Sequence, residues 1–154
     1  MDKMPLITLL LLAIPEGMLL ASVGLTLMGI RPRFQTILSV SILYSISAFI
    51  IRKLPLSFGY HSIFIFILMS IYLCYFFKVS YKESIAAAFL GFVFLVAAES
   101  LFLPLITTGL SITYEMILGN SWLRILVSIP QQLFLLTVFL VAYYLRGYHK
   151  QYIQ

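Results

Sequence analysis

Long apolar runs separated by short polar intervals dominate the chain. Five of them, 5–28, 35–51, 60–77, 84–107 and 123–145, each hold about the 20 residues needed to cross some 30 Å of hydrocarbon. They predict transmembrane α-helices: an isolated strand cannot satisfy its backbone in lipid, and the runs lack the in-out alternation of a barrel. The expected fold is therefore all-α and polytopic, a single transmembrane domain over 1–154. Between the last two runs, residues 110–122 include Tyr114, Glu115, Gly119 and Asn120 and read as an interfacial half-helix or a loop, with Trp122 at the headgroup boundary.

Composition agrees with the pattern. Of 154 residues 62% are hydrophobic and 10% charged, and the mean hydropathy is +1.08; a soluble domain carries roughly 25% charged residues. The net charge of +5 comes from ten basic residues at or between the ends of the runs, so it reads as topology control and not as a nucleic-acid surface. Arg31, Arg33, Lys78, Lys82, Arg146 and Lys150 fall on one side of the membrane; Lys3, Arg52, Lys53 and Arg124 fall on the other. The richer side is expected to be cytoplasmic, with the N-terminus outside and the C-terminus inside; Arg52 and Lys53 fit this arrangement least well. The first run continues without a small-residue cleavage site, which reads as a retained span and not a signal peptide.

Polar residues inside the runs carry the functional information. Glu16 stands fifteen residues before Arg31, and Glu99 fifteen after Ser84, so each is expected about 22 Å from the cytoplasmic boundary. A carboxylate there costs about 2.5 to 3.5 kcal/mol on insertion scales unless it faces the protein and finds a partner. Gln131, Gln132, Ser47 and His61 reach a similar level, and together these residues outline a polar layer near the outer face. Glu99, with helix on both sides, is the carboxylate least able to reach water by fraying; it is either buried and paired or neutral and facing lipid. For each residue there is a plainer reading: His61 as an interfacial side chain, Gln131 and Gln132 as interhelical hydrogen-bonding groups, Glu16 and Glu99 as structural pairing alone. Below that layer the fourth run holds nothing ionisable from Val93 to Ala86, and the first offers only Ser22 and Thr26 from Leu19 to Met28, so the inner half is expected to be dry.

The triplet Pro15-Glu16-Gly17 raises a sharper question, since a proline, a carboxylate and a glycine follow one another inside a span. Pro15 removes one backbone donor and predicts a kink with a freed carbonyl. Ala13, Gly17 and Ala21 recur every four residues and predict a smooth stripe for close helix packing. Pro130 predicts a second kink, in the fifth run. "IPEGMLL" in the first run is echoed by "IPQQLFLL" in the fifth, and each proline is followed sixteen positions later by an arginine, Arg31 and Arg146. That echo is either a repeat or the coincidence of two common features.

No phosphate loop, H-E-x-x-H, G-x-S-x-G or paired-cysteine motif occurs. The lone Cys74 and His61 are thirteen residues apart on one helix, about 20 Å, so they cannot form a thiol dyad. Neither catalysis, a metal nor a cofactor is expected.

Ile-Pro and a Gly- and Leu-rich stretch to "GIRPR", a second run ending in "IIRKLPLSFGYHSI", and "IPQQLFLL" leading to a basic tail together resemble the membrane sensor part of Gram-positive sensor histidine kinases, in the style of Agr-type peptide-pheromone receptors and related sensor kinases. The resemblance implies a bacterial plasma-membrane protein of a two-component system that passes an external signal through its last span to a cytoplasmic dimerisation helix and ATP-binding domain. His149, in "RGYHKQYIQ", sits in too short a tail to be a phosphoacceptor, so the resemblance implies an output supplied by a separate kinase or another signalling partner. The first expectation is thus a non-catalytic membrane sensor with a peptide or small-molecule ligand outside, lipid around it and a homo-oligomer compatible with it. A small transporter or substrate-binding membrane subunit using Glu16 and Glu99 is the alternative, and a scaffold or assembly subunit the third reading.

Overall fold

The structure, a computed structural model, describes residues 9–54 and 60–151. All the regular structure it describes is helical. A π-helical turn, Leu9–Ala13, leads directly into α1 (Ile14–Leu27). There follow α2 (Phe34–Lys53), α3 (Tyr60–Phe77), α4 (Tyr81–Gly109), the short α5 (Tyr114–Gly119) and α6 (Ser121–Gln151).

Among the described residues four helices are long and apolar enough to cross a membrane: α2, α3, α4 and Ser121–Arg146 of α6. The first run forms a shorter apolar helix, Leu11–Leu27. Residues 5–8 of that expected span, Lys3, and residues 55–59 lie outside the described residues, as do the side chains of His149 and Lys150. The interval after the fourth run holds α5, a single short helix.

Local chemistry sets the helix ends. Before α4, the Ser80 hydroxyl accepts from the Glu83 amide at 3.3 Å, and Glu83 Oε2 accepts from the Ser80 amide at 2.9 Å; this reciprocal capping box starts α4 earlier than hydropathy indicates. Asn120 Oδ1 accepts from the amides of Trp122, at 3.0 Å, and Leu123, at 3.4 Å, and so starts α6. Pro104 inside α4 leaves its turn short of a donor, and the Thr107 and Thr108 hydroxyls bond back to carbonyls of the same turn.

The helices pack around α1, which lies against α2, α4 and α6, while α3 bridges α2 and α4. Every residue from Leu20 to Thr26 is buried, the mark of a helix enclosed on all sides. Small side chains make this enclosure feasible. A Cβ on Gly24 would run into the Ala87 carbonyl of α4, and one on Gly91 into the Leu20 carbonyl, so these two antiparallel backbones are nearly in contact. Outward faces are as apolar as the interior: Ile42, Ile46 and Ile50 of α2 and Leu126, Leu133 and Leu140 of α6 are all exposed. Such continuous apolar surface suits lipid as the surrounding solvent.

The interior towards the Leu27 end of α1 departs from expectation. Its buried polar groups, among the described residues, are uncharged hydroxyls: Ser22, Thr26, Ser41, Ser70 and Ser84 are buried there, with Ser45 at mid-depth. Hydroxyls persist because a helix can satisfy them internally. Ser41, Ser45 and Ser70 donate to the carbonyl four residues back, and Ser84 to that of Tyr81. Thr26 Oγ1 alone among the described buried side-chain nitrogen and oxygen atoms has no hydrogen-bond partner.

Candidate functional site

The Pro15-Glu16-Gly17 triplet opens α1, and each of its residues has a separate structural consequence. Pro15 has no amide hydrogen to give, and the turn before it is widened to a π-helix. In that turn the Leu12 carbonyl is reached from α6 by Gln132, whose Nε2 donates at 3.4 Å. Gly17 leaves room for the Tyr44 ring of α2: a Cβ at Gly17 would stand 2.7 Å from Tyr44 Cδ1. The ring in turn holds its hydroxyl at Glu16, donating to Oε1 at 3.4 Å. Proline, carboxylate and glycine thus serve one junction of α1 with α2 and α6.

Two further charges act on this junction. Arg52, at the end of α2, and Glu99 of α4 both lie within electrostatic reach of Glu16 and of Tyr44. Arg52, one of the two basic residues that fit the topology poorly, thus lies near the Glu16 carboxyl. Lys53, the other basic residue that fits the topology poorly, lies with its Nζ 4.1 Å from the centre of the Phe49 ring, a cation–π contact.

Not every residue of the expected polar layer joins the group. Glu99 is exposed at the surface of the bundle, in line with the lipid-facing reading and not with the buried, paired one. The cause is helical phase: Ala88, Gly91, Leu95 and Ala98 form the buried face of α4, and residue 99 lies one 100° step past it. Ser47 bonds instead to the Tyr72 hydroxyl of α3 at 2.7 Å, closing a different seam. His61, in the first turn of α3, and Gln131, in α6 beside Pro130, are half-buried and make no hydrogen bond to the Glu16–Tyr44 pair. Ala13, Gly17 and Ala21 are all buried.

Tyr44 and Arg52 are the members that sequence reasoning misses. Tyrosine is common in membrane helices, and Arg52 reads first as a topology signal. One pattern does point to Tyr44: Ser41, Tyr44, Ser45 and Ala48 fall on one helical face, and all are buried. Among the described residues no group of three or more His, Cys, Asp or Glu side chains could hold a metal ion.

These features define an all-α membrane protein built around a central helix, with a carboxylate–phenol pair at one end of that helix. No protein-family model matches the chain, and no curated protein or solved structure is significantly similar to it.

Proposed function

We propose that the chain is a non-catalytic membrane sensor of five spans, with the Glu16 end facing outwards and the Leu27 end facing the cytoplasm. A peptide or small molecule acting on the outer polar group shifts α1 against α6, and a cytoplasmic signalling partner such as a separate kinase reads the shift at the tail. One observation carries this reading: α1 is tied to its neighbours by polar contacts at both ends. Tyr44 and Gln132 hold it at the Glu16 end, and Arg146 of α6 donates to the Leu27 carbonyl at the other. A helix held in this way converts a change at one end into a displacement at the other, provided the packing has two discrete arrangements.

A transporter is the second reading. The hydroxyls buried towards the Leu27 end favour it, since a translocation path needs polar groups beyond a single layer. Two measurements decide between the readings. With Cys74 replaced by serine, a cysteine pair at positions 28 and 145 should cross-link at a rate that changes several-fold in Glu16→Gln or Tyr44→Phe. Unchanged rates in both variants would sink the coupling. Proteoliposomes should show no proton or small-cation flux, and a flux abolished by Glu16→Gln would establish the transporter.

A further inference from the structure

The contact between Arg146 and the end of α1 has a local logic of its own. The last carbonyls of a helix lack intrahelical donors. Here the chain reverses through a Schellman motif, with Gly29 in the left-handed region at φ 83°. The Ile30 amide donates to the Leu25 carbonyl at 2.9 Å and the Gly29 amide to that of Thr26 at 3.0 Å. The Leu27 carbonyl is next in line, and it is the one that accepts from Arg146 Nη2. The guanidinium also occupies the space a Gly29 side chain would fill, since a Cβ there would collide with Arg146 Nη1. The backbone turn favours glycine at position 29, and a side chain there would displace the end of the arginine lying over it. The positive charge sits at the negative end of the α1 dipole, and it is delivered by α6, a helix 119 residues away in sequence.

We propose that Arg146 is a latch: it closes the open end of α1 and thereby fixes the tail-proximal end of α6 against the α1–α2 turn, and its release frees that end of α6. The latch spends a single hydrogen bond from an exposed side chain, while the turn beneath it keeps its own backbone bonds. It can therefore open without unfolding α1. The inference concerns this end of the bundle only and holds whether or not the Glu16 group binds a ligand.

Spin labels at Phe34 and Tyr144, both exposed, would report the distance between the start of α2 and the part of α6 beside Arg146 in a Cys74→Ser background. The unmodified latch should give one narrow distance distribution. Arg146→Ala removes the donor. Gly29→Asn keeps the left-handed turn, which asparagine tolerates, but places a Cβ where the guanidinium lies. Each should broaden the distribution to the same extent, and the double variant should broaden it no further. A narrow distribution in either single variant, or a double variant broader than both, would overturn the latch.

Discussion

Glu16 and Tyr44 show how one pair of residues resolves a cost that the sequence poses. A carboxylate inside an apolar run needs a partner, and α2 supplies a phenol whose ring fits only because residue 17 has no side chain. Tyr44→Phe keeps the ring and removes the donor, and should cost about 1 to 3 kcal/mol. Gly17→Ala places a methyl against the ring and should cost a comparable amount, about 1 to 3 kcal/mol, by overpacking. Both changes act through the same side chain, so the double variant should lose less than the sum of the two. Reversible unfolding in mixed detergent would measure this, and strict additivity would show that Gly17 and Tyr44 are not coupled. At this scale the sequence reveals the problem, Glu16, more clearly than its solution. The reason is that carboxylates are rare in lipid and tyrosines are not.

At the level of elements, glycine has opposite meanings in different helices. Gly24 and Gly91 lie where α1 and α4 bring backbone against backbone, whereas a Cβ placed on Gly109 or Gly119 meets nothing within 4 Å beyond its own helix and chain neighbours, among the described residues. Gly24→Ala and Gly91→Ala should each force α1 and α4 apart and cost about 1 to 3 kcal/mol or more. Gly109→Ala and Gly119→Ala should leave stability within about 0.5 kcal/mol of the parent or raise it slightly. Thermal unfolding in detergent would compare the four, and equal losses at all of them would refute the close approach of α1 and α4. The smooth stripe expected at Ala13, Gly17 and Ala21 is buried, yet at Gly17 the neighbour is a tyrosine ring, and it is Gly24 and Gly91 that meet the backbone of another helix. Spacing identifies small residues that permit contact; it does not say which neighbouring helix uses them.

For the whole molecule, the proposed sidedness of the loops follows from the distribution of basic residues between the helices. The proposed topology places Arg33 and Lys82 on one side of the membrane and Glu115 on the other. With Cys74 replaced by serine, single cysteines at these exposed positions should react with an impermeant reagent in that pattern in oriented vesicles. Labelling of position 115 from the same side as 33 and 82 would break the five-span arrangement. The two echoing segments also acquire a meaning only at this scale. α1 and α6 run side by side in the same direction, and Gln132 of "IPQQLFLL" bonds to the turn that leads into "IPEGMLL".

The sequence by itself determined what depends on one dimension: helical structure, the apolar lengths, the presence of a costly carboxylate at Glu16 and a kink-forming residue beside it. These follow from composition along the chain, because lipid forces each segment to satisfy its own backbone. Tertiary structure decided everything that depends on azimuth. It made the first helix the central one, left Glu99 on the surface, sent Ser47 to Tyr72 and brought Arg146 over Gly29. In a soluble protein an apolar stripe would have announced which face turns inwards. In lipid both faces are apolar, so hydropathy loses that information, and only the fit of small residues, hydroxyls and a few charges between helices restores it.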